Sequence, residues 1–594
     1  MLYAKPTVPG GLVDGALLRL VAFATLAVAA ILLVATYPAI VAGQFPDPDD
    51  ELRLVQVRDW LGGQGWFDLT LRRVDSAGGG VAMHWSRLVD LPLGLAIAAL
   101  TPLLGAGAAE SIAVVAVPLL TLGAILLLGA ILTKRMLGPE AVGFALLIMA
   151  MTVPLLHQTR PLRIDHHGWQ IALALLATNG VFARNPRGGA WTAGLALSAW
   201  LAISLEGLPM AAVVMGVFAL RWLRDPDGRA WLLHGSAGLA LGSAFFFVTT
   251  RLGAASPVFC DTLKGAHLLA FGAGALGVAA LSRLEPKHFA LDAALLAAVG
   301  AMSGSAMLLI DPSCAGGGFE GLDPVVKRIW YDSVTEGLPI WRQRPADMLH
   351  VLVPGLAALA AAVWLARVRQ WDREDWVDYA VLLAGALAIG VLVMRAGAVA
   401  VVIGAVPLAA LVKELYGRIR AKGRPLHTVA LAWVLAILLV PSIPVTIAAA
   451  LAPKKGAAGV AENIATSCDY AAAAPALKAL GQGEALAPLD ISPWVLMESD
   501  LSVVATGHHR GSPAMRTVIE TFMASPQDAH RVLTARGTKY LILCDDLGEP
   551  DIYRREAPSG LAAQLMAGRV PAWLREIDTD AGAAFHIWRI RDLP

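Results

Sequence analysis

Charge is scarce in this chain. Of its 594 residues only 16% are Asp, Glu, Lys or Arg, 57% are hydrophobic, and mean hydropathy is +0.62. Soluble domains carry about 25% charged residues, so the scarcity excludes an ordinary soluble protein and leaves a polytopic membrane protein. A basic surplus is also missing. The formal net charge is +1, which argues against a nucleic-acid partner, since phosphate backbones are bound by clustered Lys and Arg. No cleavable leader is expected: the first apolar run, 15–42, is long enough to span a bilayer but lacks a small-residue cleavage site followed by soluble chain, and reads as a signal anchor. Internal repeats and mid-span charges, the marks of a transporter, are lacking as well.

What is present is a series of apolar runs. Thirteen spans are expected, near 16–42, 109–133, 139–157, 168–183, 189–205, 207–222, 230–250, 263–281, 288–310, 347–367, 377–394, 397–416 and 427–451. The short run 91–107, with Pro92 and Pro102, reads as an interfacial segment. Alternate loops are rich in Lys and Arg ("TKRML", "ARNPRGG", "RWLRDPDGR", "SRLEPKH", "RVRQWDRED", "KELYGRIRAKGRPLH"), which marks them as cytoplasmic. Residues 1–452 then form a membrane domain, and 453–594, of ordinary composition, a soluble α/β domain on the outer face. The four cysteines all fall on that outer side. Disulfides need an oxidising compartment, so Cys260–Cys314 and Cys468–Cys544 are the expected pairs; four unpaired small residues are the plainer alternative.

The same topology gathers three acidic segments on the outer face: "GQFPDPDDELRLVQVRDW" (Gly43 to Trp60), "RPLRIDHHGW" (Arg160 to Trp169) and "RIWYDSVTEGLPIW" (Arg328 to Trp341). Carboxylates with a histidine suit a hard or borderline divalent cation, and Asp47, Asp165, His167 and Glu336 would supply one if the loops converge. Each segment also has a plain reading. Asp47 could be the N-cap of a helix over "ELRLVQVRDWL", His166 and His167 could be polar residues at a helix start, and "SVTE" could be a capping box.

Taken together, the three segments resemble the catalytic subunit of oligosaccharyltransferases, within the GT-C class of polytopic glycosyltransferases. In "FPDPDDELR" Asp47 takes the place of the aspartate in that family's first-loop motif, with Phe45 where the family has glycine. Asp165-His166-His167 matches the Asp-x-His motif of the archaeal branch, and Ser333 to Glu336 matches Ser-x-x-Glu. The resemblance implies a GT-C fold and a divalent metal, Mn2+ or Mg2+, on Asp47, Asp165, His167 and Glu336. Asp47 and Glu336 would be the catalytic carboxylates. Arg395 resembles the arginine that holds the lipid donor's phosphate, although an arginine at a span end also snorkels. "VAMHWSRLVDLP" resembles the aromatic end of the first outer loop and puts His84 and Trp85, with His166, beside the substrate.

The family's Trp-Trp-Asp acceptor motif is missing. In "APLDISPWVLMESD" Asp490 stands in place without the tryptophans, so recognition of an Asn-x-Ser/Thr acceptor is in question. "VVATGHHRGSP" could bring His508, His509 and Arg510 to the substrate or could be an exposed turn. The expected partners are a polyprenyl-linked sugar donor, an acceptor glycan, lipid or protein, and the lipid of a bacterial inner membrane, with the soluble domain in the periplasm. The rival expectations are a single-sugar transferase using a polyprenyl monophosphate and, in a different class, a lipid-sugar flippase.

Overall fold

The computed structural model describes residues 11–252, 260–284, 288–423, 425–440 and 468–591. Its helices in the membrane part are α1 (Gly15–Ala42), α2 (Pro48–Leu61), α3 (Asp90–Leu104), α4 (Ala106–Leu137), α5 (Val142–Met151), α6 (Val153–Thr159), α7 (His167–Val181), α8 (Pro186–Ile203), α9 (Leu208–Arg224), α10 (Arg229–Thr250), α11 (Gly265–Leu284), α12 (Phe289–Ile310), α13 (Pro324–Ile329), α14 (Pro345–Val368), α15 (Arg373–Leu392), α16 (Gly397–Ala421) and α17 (Pro425–Leu439). Each of the thirteen expected spans overlaps at least one of these. Among the described residues nine helices are long and apolar enough to cross a membrane, or ten if the bent pair α5 and α6 is one span. The difference from thirteen is local. Helix α7 has only 15 residues, α8 opens on the polar "PRGG", and α17 is followed by residues 441–451, which lie outside the described residues, as does the expected domain boundary at 452/453. The run 91–107 is the short apolar helix α3.

The bundle has two chemically distinct ends. At one, basic helix ends tie neighbouring elements together: Lys134 to Asp14 at 2.6 Å, Lys413 to Glu140 at 2.7 Å, Arg221 and Arg224 to Asp378, and Arg369 to the Met136 carbonyl at 3.2 Å. The acidic segments sit at the other. Between the two ends, α16 is buried on nearly every face from Gly397 to Ala410, as expected of an all-round apolar helix at a bundle's centre. Helices α8 and α10 pack so closely that a Cβ on Gly194 would lie 2.4 Å from the Gly235 carbonyl oxygen.

The C-terminal part is a five-stranded mixed sheet flanked by helices. Its strands are β3 (Glu484–Leu486), β4 (Ser502–Val503), β5 (Tyr540–Cys544), β6 (Leu574–Ile577) and β7 (Phe585–Ile590), in the order β4-β3-β5-β7-β6. β3 is parallel to β4 and β5, and β7 is antiparallel to β5 and β6. The central strand β5, "YLILC", is buried at every residue, as strands covered on both faces are. Cys468 is bonded to Cys544, and Cys260 to Cys314, with Cα atoms 6.2 and 5.1 Å apart.

The loop between α2 and α3 forms the hairpin β1 (Thr70–Leu71) and β2 (Val81–Ala82). It then extends the C-terminal sheet: the Val503 amide donates to the Arg73 carbonyl at 2.8 Å, and the Asp75 amide to the Val503 carbonyl at 3.0 Å. Arg536 adds an ion pair to Asp75 at 2.6 Å, and Arg58 donates to the Met497 carbonyl at 2.5 Å. Pairing at the sheet edge satisfies strand groups that an open edge would expose and fixes the soluble domain over the acidic end of the bundle.

Gly194→Leu is expected to destabilise the bundle by about 1–3 kcal/mol, the usual range for overpacking, because backbone rather than a flexible side chain blocks it. The apparent melting temperature in detergent should fall, whereas Gly143→Ala on α5, with open space around its Cβ position, should leave it unchanged.

Candidate active site

Each acidic segment is placed by its own backbone. Gly43 ends α1 in the left-handed region at φ 63, which turns the chain sharply into "QFPD". Asp47 is the N-cap of α2, its carboxylate accepting from the Asp49 amide at 2.9 Å, and Pro48 starts the helix. The plain capping role and a place in the site are thus held by one residue. Helices α5 and α6 meet at 70° where Thr152 leaves helical geometry ahead of Pro154. The chain then turns through Leu162, at φ 70, a conformation rare outside glycine. Its amide donates to the Val114 carbonyl at 3.1 Å and its side chain is buried, so the surroundings hold it there.

That turn aims Arg163 into a group of carboxylates. Its guanidinium is 3.0 Å from Asp47, 3.0 Å from Asp50, 3.0 Å from Asp165 and 3.9 Å from Glu336. Asp50 is fully buried and accepts from the amides of Ile164 and Asp165 at 2.8 Å each. Asp165 accepts from the His167 amide at 2.9 Å and lies 2.6 Å from His167 Nδ1. Arg395, in the turn before α16, donates to Glu336 at 3.2 Å and pairs with Glu206, which also accepts from Gln170 at 3.0 Å. Five carboxylates therefore face two guanidinium groups. Burial raises Asp50 well above the usual carboxylate range, against Arg163. Burial also works to raise Asp165, but Arg163 and His167 outweigh it and hold it well below that range. Asp49 is pushed up to about 8 by burial and then by Asp47, Asp165 and Glu336.

Accessibility divides the carboxylates. The side chains of Asp50 and Asp165 are 0% and 1% exposed, those of Asp47 and Glu336 27% and 33%. The first pair can hold structure or an ion; only the second pair can be reached by a large substrate.

The donor set fits a divalent cation on observations of this chain. Asp165, His166 and His167 offer ligand atoms within 4.8 Å of one another, and among the described residues His167 Nε2 and His166 Nδ1 are buried without a hydrogen-bond partner. The excess of carboxylate over guanidinium supplies the negative charge such an ion requires.

Next to this group lie the other expected substrate residues. His84 stacks on His508, with Nδ1 and Nε2 2.8 Å apart, and the two ring centroids are 6.4 Å (His166) and 5.1 Å (His509) from that of His84. Arg510 donates to the carbonyls of Ala82 and Met83 and, with His509, to Asp261. Trp85 is buried under the Arg53 guanidinium, 4.5 Å from its ring centroid. Burial, followed by the neighbouring histidines, holds both His84 and His508 well below the usual imidazole range, so both rings are neutral near pH 7.

Sequence reasoning missed four residues of this assembly: Arg163, Asp50, Glu206 and Asp261. Glu206 carried a signal, since it is the only charge between Arg187 and Arg221, and ionisable groups in apolar runs mark function. Asp50 and Arg163 stood inside the acidic segments but match no motif, and nothing in the sequence joins Asp261 to His509.

Solved structures with this architecture exist. The oligosaccharyltransferase of the archaeon Archaeoglobus fulgidus, tethered to an acceptor peptide containing an NVT sequon, superposes with TM-score 0.66 at 12% identity over 97% of this chain and 74% of that one. The same enzyme, AglB, with an inhibitory peptide and a dolichol-phosphate gives 0.65 at 13% identity over 92% and 72%, and its complex with Zn and sulfate gives 0.59 at 14% over 92% and 70%. This is the GT-C fold. No family profile and no curated protein matches the chain in sequence. A GT-C bundle joined to a sheet-containing C-terminal region accounts for the two chemically distinct ends and for the acidic loops meeting at one of them.

Arg163→Met is expected to destabilise the protein by about 3–5 kcal/mol, because removing one partner of a buried ion pair strands the other. Adding Asp50→Asn should recover part of that loss, since both backbone amides bond to the one oxygen that asparagine keeps. A double-mutant thermal-unfolding cycle measures the coupling.

The soluble domain adds a pH dependence. Glu549 accepts from the amides of Leu489 and Asp490 at 2.7 and 2.9 Å, yet burial and then the Asp490 charge push it up to about 8. A carboxyl raised in the folded state binds more protons folded than unfolded, so its contribution to stability is lost between about pH 4, the ordinary value, and pH 8. The apparent melting temperature should fall from pH 5 to pH 8, and Glu549→Gln should flatten that fall.

Proposed function

We propose that this protein is a metal-dependent glycosyltransferase, moving a sugar or oligosaccharide from a polyprenyl-linked phosphate donor to an acceptor on the outer face of a bacterial inner membrane. The reading is carried by one observation: Asp47, Asp165 and Glu336, from three segments far apart in sequence, meet around Arg163, with Arg395 on Glu336, at one end of a GT-C bundle. The structures that share the fold contain a dolichol-phosphate, an acceptor peptide, and zinc with sulfate, which supports a polyprenyl donor and a cation.

Asp47, Asp165 and His167 would hold the divalent ion, Mn2+ or Mg2+, with Glu336 at its edge; the ion would stabilise negative charge growing on the departing phosphate. The residues of the chain do the rest. Arg395 gives a fixed positive charge for the donor phosphate, preorganised by Glu206 and Glu336. The half-buried His84 presents the neighbouring wall to donor and acceptor, backed by the buried His166, His508, His509 and Arg510, while Trp85 is sealed beneath Arg53 and supports that wall from behind. Asp47 takes the proton of the acceptor hydroxyl or amide, with Glu336 orienting it. The acceptor atom bonds to the anomeric carbon as that carbon's bond to the phosphate oxygen breaks, and the phosphate leaves with the electron pair. A single displacement inverts the anomeric centre. With the soluble domain in the periplasm, the basic bundle end faces the cytoplasm, in keeping with the positive-inside rule.

Asp47→Ala, Asp165→Ala and Glu336→Ala should each lower transfer of a radiolabelled polyprenyl-linked sugar by at least about a hundredfold, with membrane insertion unchanged. EDTA should abolish wild-type transfer and Mn2+ restore it. Wild-type rates in all three variants would refute the assignment, and a glycan and glycolipid profile of a deletion strain identifies the acceptor.

A further inference from the structure

Beside the carboxylates lies a group of imidazoles, and their arrangement has a chemistry of its own. His84 comes from the first outer loop, just after β2, and His508 and His509 from the soluble domain. Their ring centroids are 4.9, 5.1 and 4.6 Å apart, and one nitrogen from each lies within 4.8 Å of the others. Three nitrogens at about 2.0–2.1 Å from a tetrahedral zinc ion stand roughly 3.3 Å apart, so closing on an ion requires small rotations rather than a new fold. The cluster contains no carboxylate, and an all-imidazole donor set selects zinc or cobalt over magnesium, calcium or manganese.

Two further observations point to a ligand. His508 is 3% exposed, and its Nδ1 is buried without a hydrogen-bond partner among the described residues. His509 Nε2 lies 2.6 Å from the Asp261 carboxylate. A carboxylate behind an imidazole fixes its tautomer and orientation, as outer-shell carboxylates do for zinc-bound histidines. Asp261 is in turn gripped by Arg510 at 2.6 and 2.9 Å, and Arg510 is anchored on the Ala82 and Met83 carbonyls. The scaffold around the imidazoles is thus rigid before any ion arrives.

We propose that His84, His508 and His509 form a second metal centre, of the zinc class, distinct from the carboxylate centre of Asp47, Asp165 and His167. The ion ties the first outer loop to the soluble domain at the wall of the cleft. Three protein ligands leave a fourth position for water or an oxygen of the substrate. The inference does not rest on glycosyl transfer, because its test reads bound metal and not activity.

Full-length protein in detergent is stripped with a chelator, re-equilibrated with Zn2+ or Co2+ and freed of excess. Elemental analysis should show one equivalent of zinc that His508→Ala/His509→Ala loses and Asp165→Asn keeps. With Co2+ the wild type and Asp165→Asn should show the visible absorption of tetrahedral cobalt, and the double variant should not. Asp261→Asn, which retains all three ligands, should weaken zinc binding about 10–100-fold; this variant decides the matter where the double variant does not fold. Equal zinc content in wild type and double variant, metal lost only in Asp165→Asn, or unchanged affinity in Asp261→Asn overturns the proposal. Loss of transfer in Asp47→Ala with the zinc retained would leave it standing.

Discussion

One buried guanidinium organises the acidic end of this molecule. Arg163 is 3% exposed, and a charge so placed is tolerated only with close partners and satisfied geometry. It has four carboxylate partners, drawn from α2, from its own turn and from the loop before α14. Those carboxylates in turn need the arginine, since four acids facing each other with no cation between them would repel. Neither side is stable alone, so the requirement to neutralise charge pulls three loops into one place. The left-handed Leu162 follows from it, because reversing the chain within "RPLRID" is what turns Arg163 inward while Ile164 and Asp165 give their amides to Asp50.

The second constraint is the join between bundle and soluble domain. Strand-type bonds between Arg73, Asp75 and Val503 and the apolar cluster that Leu71, Val74, Val81 and Val503 share make the loop between α2 and α3 part of the core of the C-terminal part. Since α2 leads straight into that loop, Asp47 and His508 are held by one continuous packed unit. The position of Asp490 follows from this. It is exposed to solvent yet pushed up to about 6 by surrounding protein and by the Asp47 charge, so it stands within electrostatic reach of Asp47.

How much of this was legible in the sequence differs between the levels. The spans, the basic loops and the soluble C-terminal part were readable because each rests on composition over many residues, where single exceptions average out. The meeting of Asp47, Asp165 and Glu336 was readable through motif resemblance, since side chains that share one task keep their spacing from local turns. Arg163, Asp50 and Glu206 were not read as a group, because a compensating charge is defined by distance in space and has no fixed offset along the chain. Asp261 shows this most sharply. It is 248 residues from His509, and its neighbours carry no motif, so only the fold could bring the two together. The shortness of α7 has the same origin, because the helix starts only at His167, which Asp165 holds through its amide and ring.

The missing tryptophan pair has a spatial counterpart. Gly507 lies where a side chain would come within 3.2 Å of Trp330 Nε1 and 3.7 Å of Asp490 Oδ1, so an aromatic ring from the loop that carries Glu336 stands beside the aspartate of the soluble domain. Trp330 also packs against the apolar core of the C-terminal part, so it adds a second tie between that part and the carboxylate end of the bundle, beside the bonds of Arg73 and Asp75 to Val503.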